Sequence, residues 1–356
     1  MKNIQYIDSR SFSEWGNACL IKIGVSVKDA SVIINCLVQT SLWGIDSHGI
    51  ARFPHYLNRI SAGSLNPSPQ LKIENTGPCS SNMDGDHGLG IVVVDAATEE
   101  AISLASKNGV GIVGVRESSH CGAVGVYGRM IAESGLIGIV FTHSDAFVAP
   151  HGGYKKFLGT NPICISVPNK DGRPLCLDMA TSAIAWNKVM NARNEEEKIP
   201  ADVAYDAEGN PTENPYLVDC LRPMAEHKGY GLAFMIDLLC GPLNGMPWGL
   251  NIPEMYGDLS NKRHLGSLVI AINPSRFFGG DRFSEVVSIM ANAARNQPAK
   301  DPNLPVEVPG DDHYRNEKER MKHGIPTESS LFDQFKNWST KLDIKLPKNL
   351  CIETIR

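Results

Sequence analysis

Between residues 91 and 272 the chain alternates between two hydrophobic periods. Segments 91–107, 123–134, 183–193 and 230–239 carry helical spacing. Segments 110–115, 136–142, 163–167, 175–177 and 268–272 are short β-rich runs bounded by Gly, Pro or Asn. Strands and helices in turn specify an α/β layer structure. Both flanks read differently. Behind Ser26, residues 27–43 place Val27, Ala30, Ile33, Ile34, Leu37, Val38 and Leu42 on one helical face, and Gly44 stops the run. Residues 53–62, 284–296 and 328–342 also read as helices. The expectation is an α/β domain over 76–280, plus a helical domain built from both chain ends, 1–75 and 281–356. A Pro-rich connection occupies 297–309. Helix 230–239, apolar on nearly every face, is expected to be buried on most sides.

Composition narrows the function. Of the 356 residues 42% are hydrophobic and 21% charged, and net charge is −5, so nothing indicates nucleic-acid binding. The longest apolar runs, such as 136–142, are far too short for a bilayer, and residues 1–5 (MKNIQ) lack the apolar core of a signal peptide. The nine cysteines form no Cys-x-x-Cys pair, and Cys36, Cys164, Cys176 and Cys240 sit in apolar settings. They read as reduced core thiols of a cytoplasmic protein.

Chemistry concentrates in two histidine segments, Gly44-Ile45-Asp46-Ser47-His48-Gly49-Ile50-Ala51-Arg52 and Ser118-Ser119-His120-Cys121-Gly122-Ala123. Each sets an imidazole among small residues at the seam of two regular elements. Taken singly, either histidine fits a capped or hydrogen-bonded core position. Together with Arg52, they supply a proton-transfer group and a fork for gripping a carboxylate. Such a pairing suits redox chemistry on a 2-hydroxy or 2-keto acid. His120, read as lying at a helix amino terminus, is expected to stay neutral there.

The dinucleotide fingerprint Gly-x-Gly-x-x-Gly is absent. Gly85-Asp86-His87-Gly88-Leu89-Gly90 has the glycine spacings reversed and reads as a turn and helix start. Gly159-Thr160-Asn161-Pro162 and Asp178-Met179-Ala180-Thr181-Ser182 are strand-end turns that either present N–H groups to a ligand or serve as ordinary turns. Lys228 opens the apolar helix, where it opposes the helix dipole unless an anion sits there.

At these residues the sequence resembles the type 2 malate/L-lactate dehydrogenase family, which includes malate, ureidoglycolate and sulfolactate dehydrogenases. The matching segments are 44–52, 119–123, 159–162, 178–181, 228–231 and Val308-Pro309-Gly310-Asp311, in family order. Lys228–Gly245 and Met255-Tyr256 look most like the ureidoglycolate branch. The resemblance implies a non-Rossmann α/β fold with a mixed sheet that binds NAD or NADP, a small 2-hydroxy or 2-keto acid substrate, and a homodimer. It implies that His120 is catalytic, with His48 beside it, and that Ser47, Arg52 and Tyr56 bind substrate. Cofactor contacts carry over to Ser144, Asp178, Met179, Ala180, Lys228, Gly310 and Asp311. Asn187 stands where relatives commonly have glycine. The alternative from another enzyme class is a metal-dependent hydrolase with ligands from His48, His120, His143, Asp145 and His151, although no compact ligand pair supports it.

Overall fold

The computed structural model describes residues 4–351. In chain order the elements are β1 Ile4–Ile7, α1 Ser9–Lys22, α2 Val27–Leu42, α3 Phe53–Ser61, β2 Lys72–Gly77, β3 Ser80–Asp84, α4 Gly90–Asn108, β4 Val110–Ser118, α5 Gly125–Glu133, β5 Ile137–Thr142, β6 Ile163–Val167 and β7 Leu175–Met179. They continue with α6 Trp186–Glu195, β8 Ala204–Tyr205, β9 Cys220–Leu221, α7 His227–Cys240, β10 Leu265–Ile272, α8 Gly280–Arg295, α9 Asp311–His323, β11 Ile325–Glu328 and α10 Ser329–Leu342. Local signals set several boundaries. Ser26 caps α2 through a hydrogen bond from Asp29 N, and Gly109 ends α4 in the left-handed region at φ +93°.

Seven strands form one mixed sheet in the order β2-β3-β4-β10-β5-β6-β7. Only β3 and β4 pair in parallel, across the crossover helix α4; the other neighbours are antiparallel. This pattern decides where the chemistry collects. Because β10 runs against both β4 and β5, those two strands point the same way, and two reversals later β7 does too. The chain therefore leaves β3, β4, β5 and β7 at one edge of the sheet, and enters β6 and β10 at that same edge. His120, Ser144 and Ala180 all follow strands that end there.

Two layers cover the sheet. Val93, Val94, Ala97 and Ala101 of α4 and Tyr127 and Ile131 of α5 pack with Val113, Val115, Val140 and Val269 on one side. Ile236 and Cys240 of α7 meet Ile163 and Phe141 on the other. A separate helical core joins the two ends of the chain. β1 pairs with β11, and Phe12, Trp15, Phe53 and Phe335 pack with ring centroids 5.3–5.7 Å apart. Burying such a side chain stabilises the fold by about 1.5–3 kcal/mol. α8 lies beside the turn after β6, where Lys170 N donates to Ser284 O and Asp171 N to Ser288 Oγ.

α7 departs from the sequence reading. It presents Gly229, Ala233, Ile236, Asp237 and Cys240 inward, but leaves Phe234, Met235 and Leu238 substantially exposed, Met235 at 55%. The sheet offers one face to cover, and a helix on it can bury only one stripe. The opposite apolar stripe therefore has no partner within the described residues of one chain. All nine cysteines are free thiols, including the buried Cys36, Cys164, Cys176 and Cys240.

Candidate active site

The strand ends, the loop before α3 and the start of α6 enclose a cavity of about 230 Å³. Ser47, His48, Arg52, His120, Ser144, Asp178, Met179 and Ala180 line it, so residues spread over more than a hundred positions meet at one site.

His120 lies in the loop between β4 and α5, not at a helix start, since α5 begins five residues later at Gly125. Its Nδ1 is 2.6 Å from the Tyr56 hydroxyl and also accepts from Gly122 N. Nε2 remains for a ligand. The pKa of His120 is pushed well below the ordinary histidine value, first by burial and then by the neighbouring His48 and Arg52. Burial and local charge thus keep the ring neutral, and the helix dipole is not needed. His48 stacks on it with centroids 5.3 Å apart and planes at 21°, and its Nδ1 contacts Ser47 Oγ at 2.7 Å. Burial and the Arg52 charge lower the His48 pKa to about 3.

Arg52 is held in a fixed pose. Nε donates to Ser47 O (2.6 Å), Nη1 to the Tyr256 hydroxyl (2.5 Å) and Nη2 to Asn187 Oδ1 (2.9 Å). A guanidinium has five N–H donors, so one remains on each terminal nitrogen for a carboxylate. Asn187 Nδ2 returns a bond to Ser47 O and closes the network.

The opposite wall is rich in backbone groups. Ser144 N donates to the buried Asn161 Oδ1, and Thr160 N donates to Ser144 Oγ. Asp178, at the end of β7, accepts from Gly125 N at the α5 amino terminus. Glycine at 125 permits this close approach, because a Cβ would fall 2.5 Å from Asp178 Oδ2. Burial lifts the Asp178 pKa to about 6, against the Gly125 N–H and the Arg129 charge, which lower it.

Several expected residues lie elsewhere. Tyr56 is behind His120 and does not line the cavity; its hydroxyl meets the histidine and leaves none free to face a reacting oxygen. Lys228 is exposed on the surface and does not line the cavity. Its loop is nevertheless tied to the turn after Asp178–Ala180 through Met224 N to Thr181 O. Asp311 forms a two-point pair with Arg295 (2.8 and 2.7 Å), and Gly310, at φ +100°, packs against Arg129 and Cys176; neither lines the cavity. His313, which sequence reasoning missed, does line it, stacked on Trp43 with Nδ1 against Arg129 Nη2. Its position two residues beyond the Gly310-Asp311 motif was the available signal. Trp186, Phe147 and Tyr256 also line the cavity.

The hydrolase ligand set does not assemble. His143 spends one ring nitrogen on Asp237 and accepts from Gly266 N at the other. Asp145 is paired with Arg263 and Met255 N, while His151 lies near the surface beside Glu226. No helix among the described residues is long and apolar enough to cross a membrane.

A model of the malate/L-lactate dehydrogenase family matches residues 7–336. Ureidoglycolate dehydrogenase (NAD(+)) of Escherichia coli O157:H7 is 37% identical over 314 residues, covering 88% of this chain and 90% of that protein. Malate/(S)-sulfolactate dehydrogenase of Methanothermus fervidus is 37% identical over 326 residues, covering 91% and 94%. The solved structure of sulfolactate dehydrogenase from Methanocaldococcus jannaschii superimposes with a TM-score of 0.90 at 33% identity, over 96% of this chain and 98% of that one. The missing Rossmann fingerprint, the mixed sheet and the histidine–arginine cavity thus have one common explanation: the chain belongs to the malate/L-lactate dehydrogenase family and is a nicotinamide-dependent hydroxy acid dehydrogenase.

Proposed function

We propose that the cavity holds a small 2-hydroxy acid between Arg52 and His120, and that His120 moves the hydroxyl proton. The carrying observation is that Arg52 keeps two donors unspent on the same cavity onto which the neutral His120 opens. Arg52 fixes the carboxylate and thereby the face of the substrate carbon that is presented. In the oxidative direction His120 accepts the hydroxyl proton at Nε2 from the tautomer whose proton sits on Nδ1, where it is donated to the Tyr56 oxygen in place of the Gly122 N contact, and that oxygen stabilises the resulting charge. In reduction the same nitrogen returns the proton to the keto oxygen. Tyr56 can accept from or donate to Nδ1, so it accommodates both protonation states. Serving as catalytic partner, His48 shields the pair from solvent and, being neutral, adds no competing positive charge.

The opposite wall suits a nicotinamide cofactor. The Asp178 carboxyl accepts a hydrogen bond from Gly125 N and retains acceptor capacity for an amide or sugar hydroxyl. Ser144, Met179 and Ala180 would hold the ring end, and Lys228 with the Gly310–Asp311 turn would lie along the extended remainder. When bound, NAD or NADP supplies the site for the hydride; we take NAD as the physiological form, following the relative named for it.

For the substrate's far end we favour an uncharged polar group, as in ureidoglycolate, over the second carboxylate of malate. Arg52 is the sole Lys or Arg on the cavity wall among the described residues. A second carboxylate wants a second cation, whereas Asn187 and Tyr256 suit an amide. We also propose a homodimer, supported by the uncovered stripe of Phe234, Met235 and Leu238 together with exposed Leu243 and Leu250. Nine free thiols support the reducing cytoplasm as its place of work. One panel tests the assignment: ureidoglycolate, malate, sulfolactate and lactate, each with NAD and NADP. Turnover of none of them would overturn it, and malate preferred tenfold over ureidoglycolate would overturn the far-end reading.

A further inference from the structure

Outside the cavity, His87, Glu117 and His264 share a backbone state that non-glycine residues rarely adopt. Their φ angles are +56°, +48° and +49°. His87 belongs to the loop before α4, Glu117 to the end of β4, and His264 directly precedes β10, three segments brought together at the sheet edge. Their side chains converge. Glu117 Oε2 is 2.6 Å from His264 Nδ1 and 3.3 Å from His87 Nδ1, and the two imidazole rings stand 5.2 Å apart at 88°. One ligating atom from each lies within 4.8 Å of the other two. His87 Nδ1 is buried and, being misaligned with the carboxylate, makes no hydrogen bond. The backbone fixes the arrangement: His87 N donates to Glu117 O at 2.8 Å and Gly85 N to Arg116 O at 2.9 Å, while Glu117 N meets Met246 Sδ. None of the three lines the cavity or takes part in the proposed proton transfer.

We propose that His87, Glu117 and His264 bind one divalent transition metal ion of the zinc class. Two imidazole nitrogens and one carboxylate oxygen match its ligand preference at about 2.0–2.2 Å, which places ligand atoms roughly 3.3–3.5 Å apart in a tetrahedron. Glu117 Oε2 lies 2.6 and 3.3 Å from the two imidazole nitrogens and the three ligand atoms all lie within 4.8 Å of one another, so shifts of roughly an ångström assemble the site. A single carboxylate between two nitrogens does not suit calcium or magnesium, which prefer oxygen ligands. Binding through Nδ1 requires each neutral ring to carry its proton on Nε2, a change of tautomer with no net proton loss. The fourth position opens to solvent on the side of His264, whose side chain is 39% exposed. The ion then ties the loop that starts α4 to two central strands and relieves the unpaired His87 nitrogen.

The test uses the full chain titrated with zinc against a chelating dye, together with thermal unfolding and cobalt(II) absorption spectra. Substitutions to Asn hold the positive-φ backbone, since Asn tolerates that region best. The proposal expects one equivalent bound with micromolar or tighter affinity and a rise in Tm of about 3–4 °C at a hundredfold excess over Kd. It expects intense four-coordinate cobalt bands, and at least a tenfold loss of affinity in each of His87→Asn, His264→Asn and Glu117→Gln. His323→Ala, on the surface of α9, keeps full affinity. Circular dichroism establishes that each variant is folded; should one fail, the other two carry the comparison. No binding at 100 µM zinc, or one equivalent bound equally well by His87→Asn and His264→Asn, overturns the proposal.

Discussion

The Tyr56 hydroxyl lies 2.6 Å from Nδ1 of His120, on the far side of the imidazole from the cavity. That contact orients the ring and stabilises whichever tautomer the reaction needs. His120→Ala should lower turnover about a hundredfold or more, the scale of losing a general acid–base. Tyr56→Phe should lower kcat roughly tenfold with KM for the acid nearly unchanged, and should displace the pH profile of kcat/KM. A profile that stays in place would remove Tyr56 from proton handling.

Arg52→Lys keeps the charge but cannot hold Ser47 O, Tyr256, Asn187 and a carboxylate together. The expected outcome is a rise in KM of at least tenfold for the best acid, with cofactor KM little changed. Steady-state kinetics against each substrate in turn checks this, and an unchanged specificity constant would place the carboxylate elsewhere.

Lys228→Met should raise the KM for NAD(P) about tenfold, equivalent to about 1.4 kcal/mol of binding. The KM for the hydroxy acid at saturating cofactor should hardly move. The reverse pattern would place Lys228 at the substrate.

Stability should fall on mild acidification. His48 and His55 are lowered to about 3, and His120 is also lowered, chiefly by burial. The unfolded chain takes up these protons near pH 6.5 and the folded chain does not. Stability is therefore fully present above about pH 6.5 and is lost toward pH 3, by at most about 1.4 kcal/mol per pH unit for each group. Asp95 and Asp178, raised to about 6, act in the opposite sense below that pH. His87 and His313 are lowered as well, so five histidines against two carboxyls leave a net loss, visible as a falling urea midpoint between pH 7.5 and 5. A midpoint that rises over that range would contradict the burial of the histidines.

Met235→Glu combined with Leu238→Glu should convert a dimer to monomer without altering the circular dichroism spectrum. Light scattering reads the mass, and a double variant that remains dimeric would move the interface off α7.

Much of the framework was legible because its signals are local. Ser26, the periodicity of 27–43 and the runs at 163–167 and 268–272 fall within elements that the structure contains. The pairing of distant segments was not legible. Nothing near Arg52 announces Asn187 or Tyr256, 135 and 204 positions away, because strand order brings them together. The short exposed strand β2 also escaped, since five of its six residues are exposed and give no apolar alternation. α7 was misread for a different reason: an exposed apolar stripe and a buried one have the same composition.

The pairing of β1 with β11 has a consequence for synthesis. Phe12, Trp15 and Phe53 emerge from the ribosome some 280 residues or more before Phe335, which completes their packing. At about 5–20 residues per second, that aromatic surface waits on the order of tens of seconds. The first helices made are thus among the last to be closed over, and a chain stalled before α10 presents a sticky aromatic face to chaperones or to its neighbours.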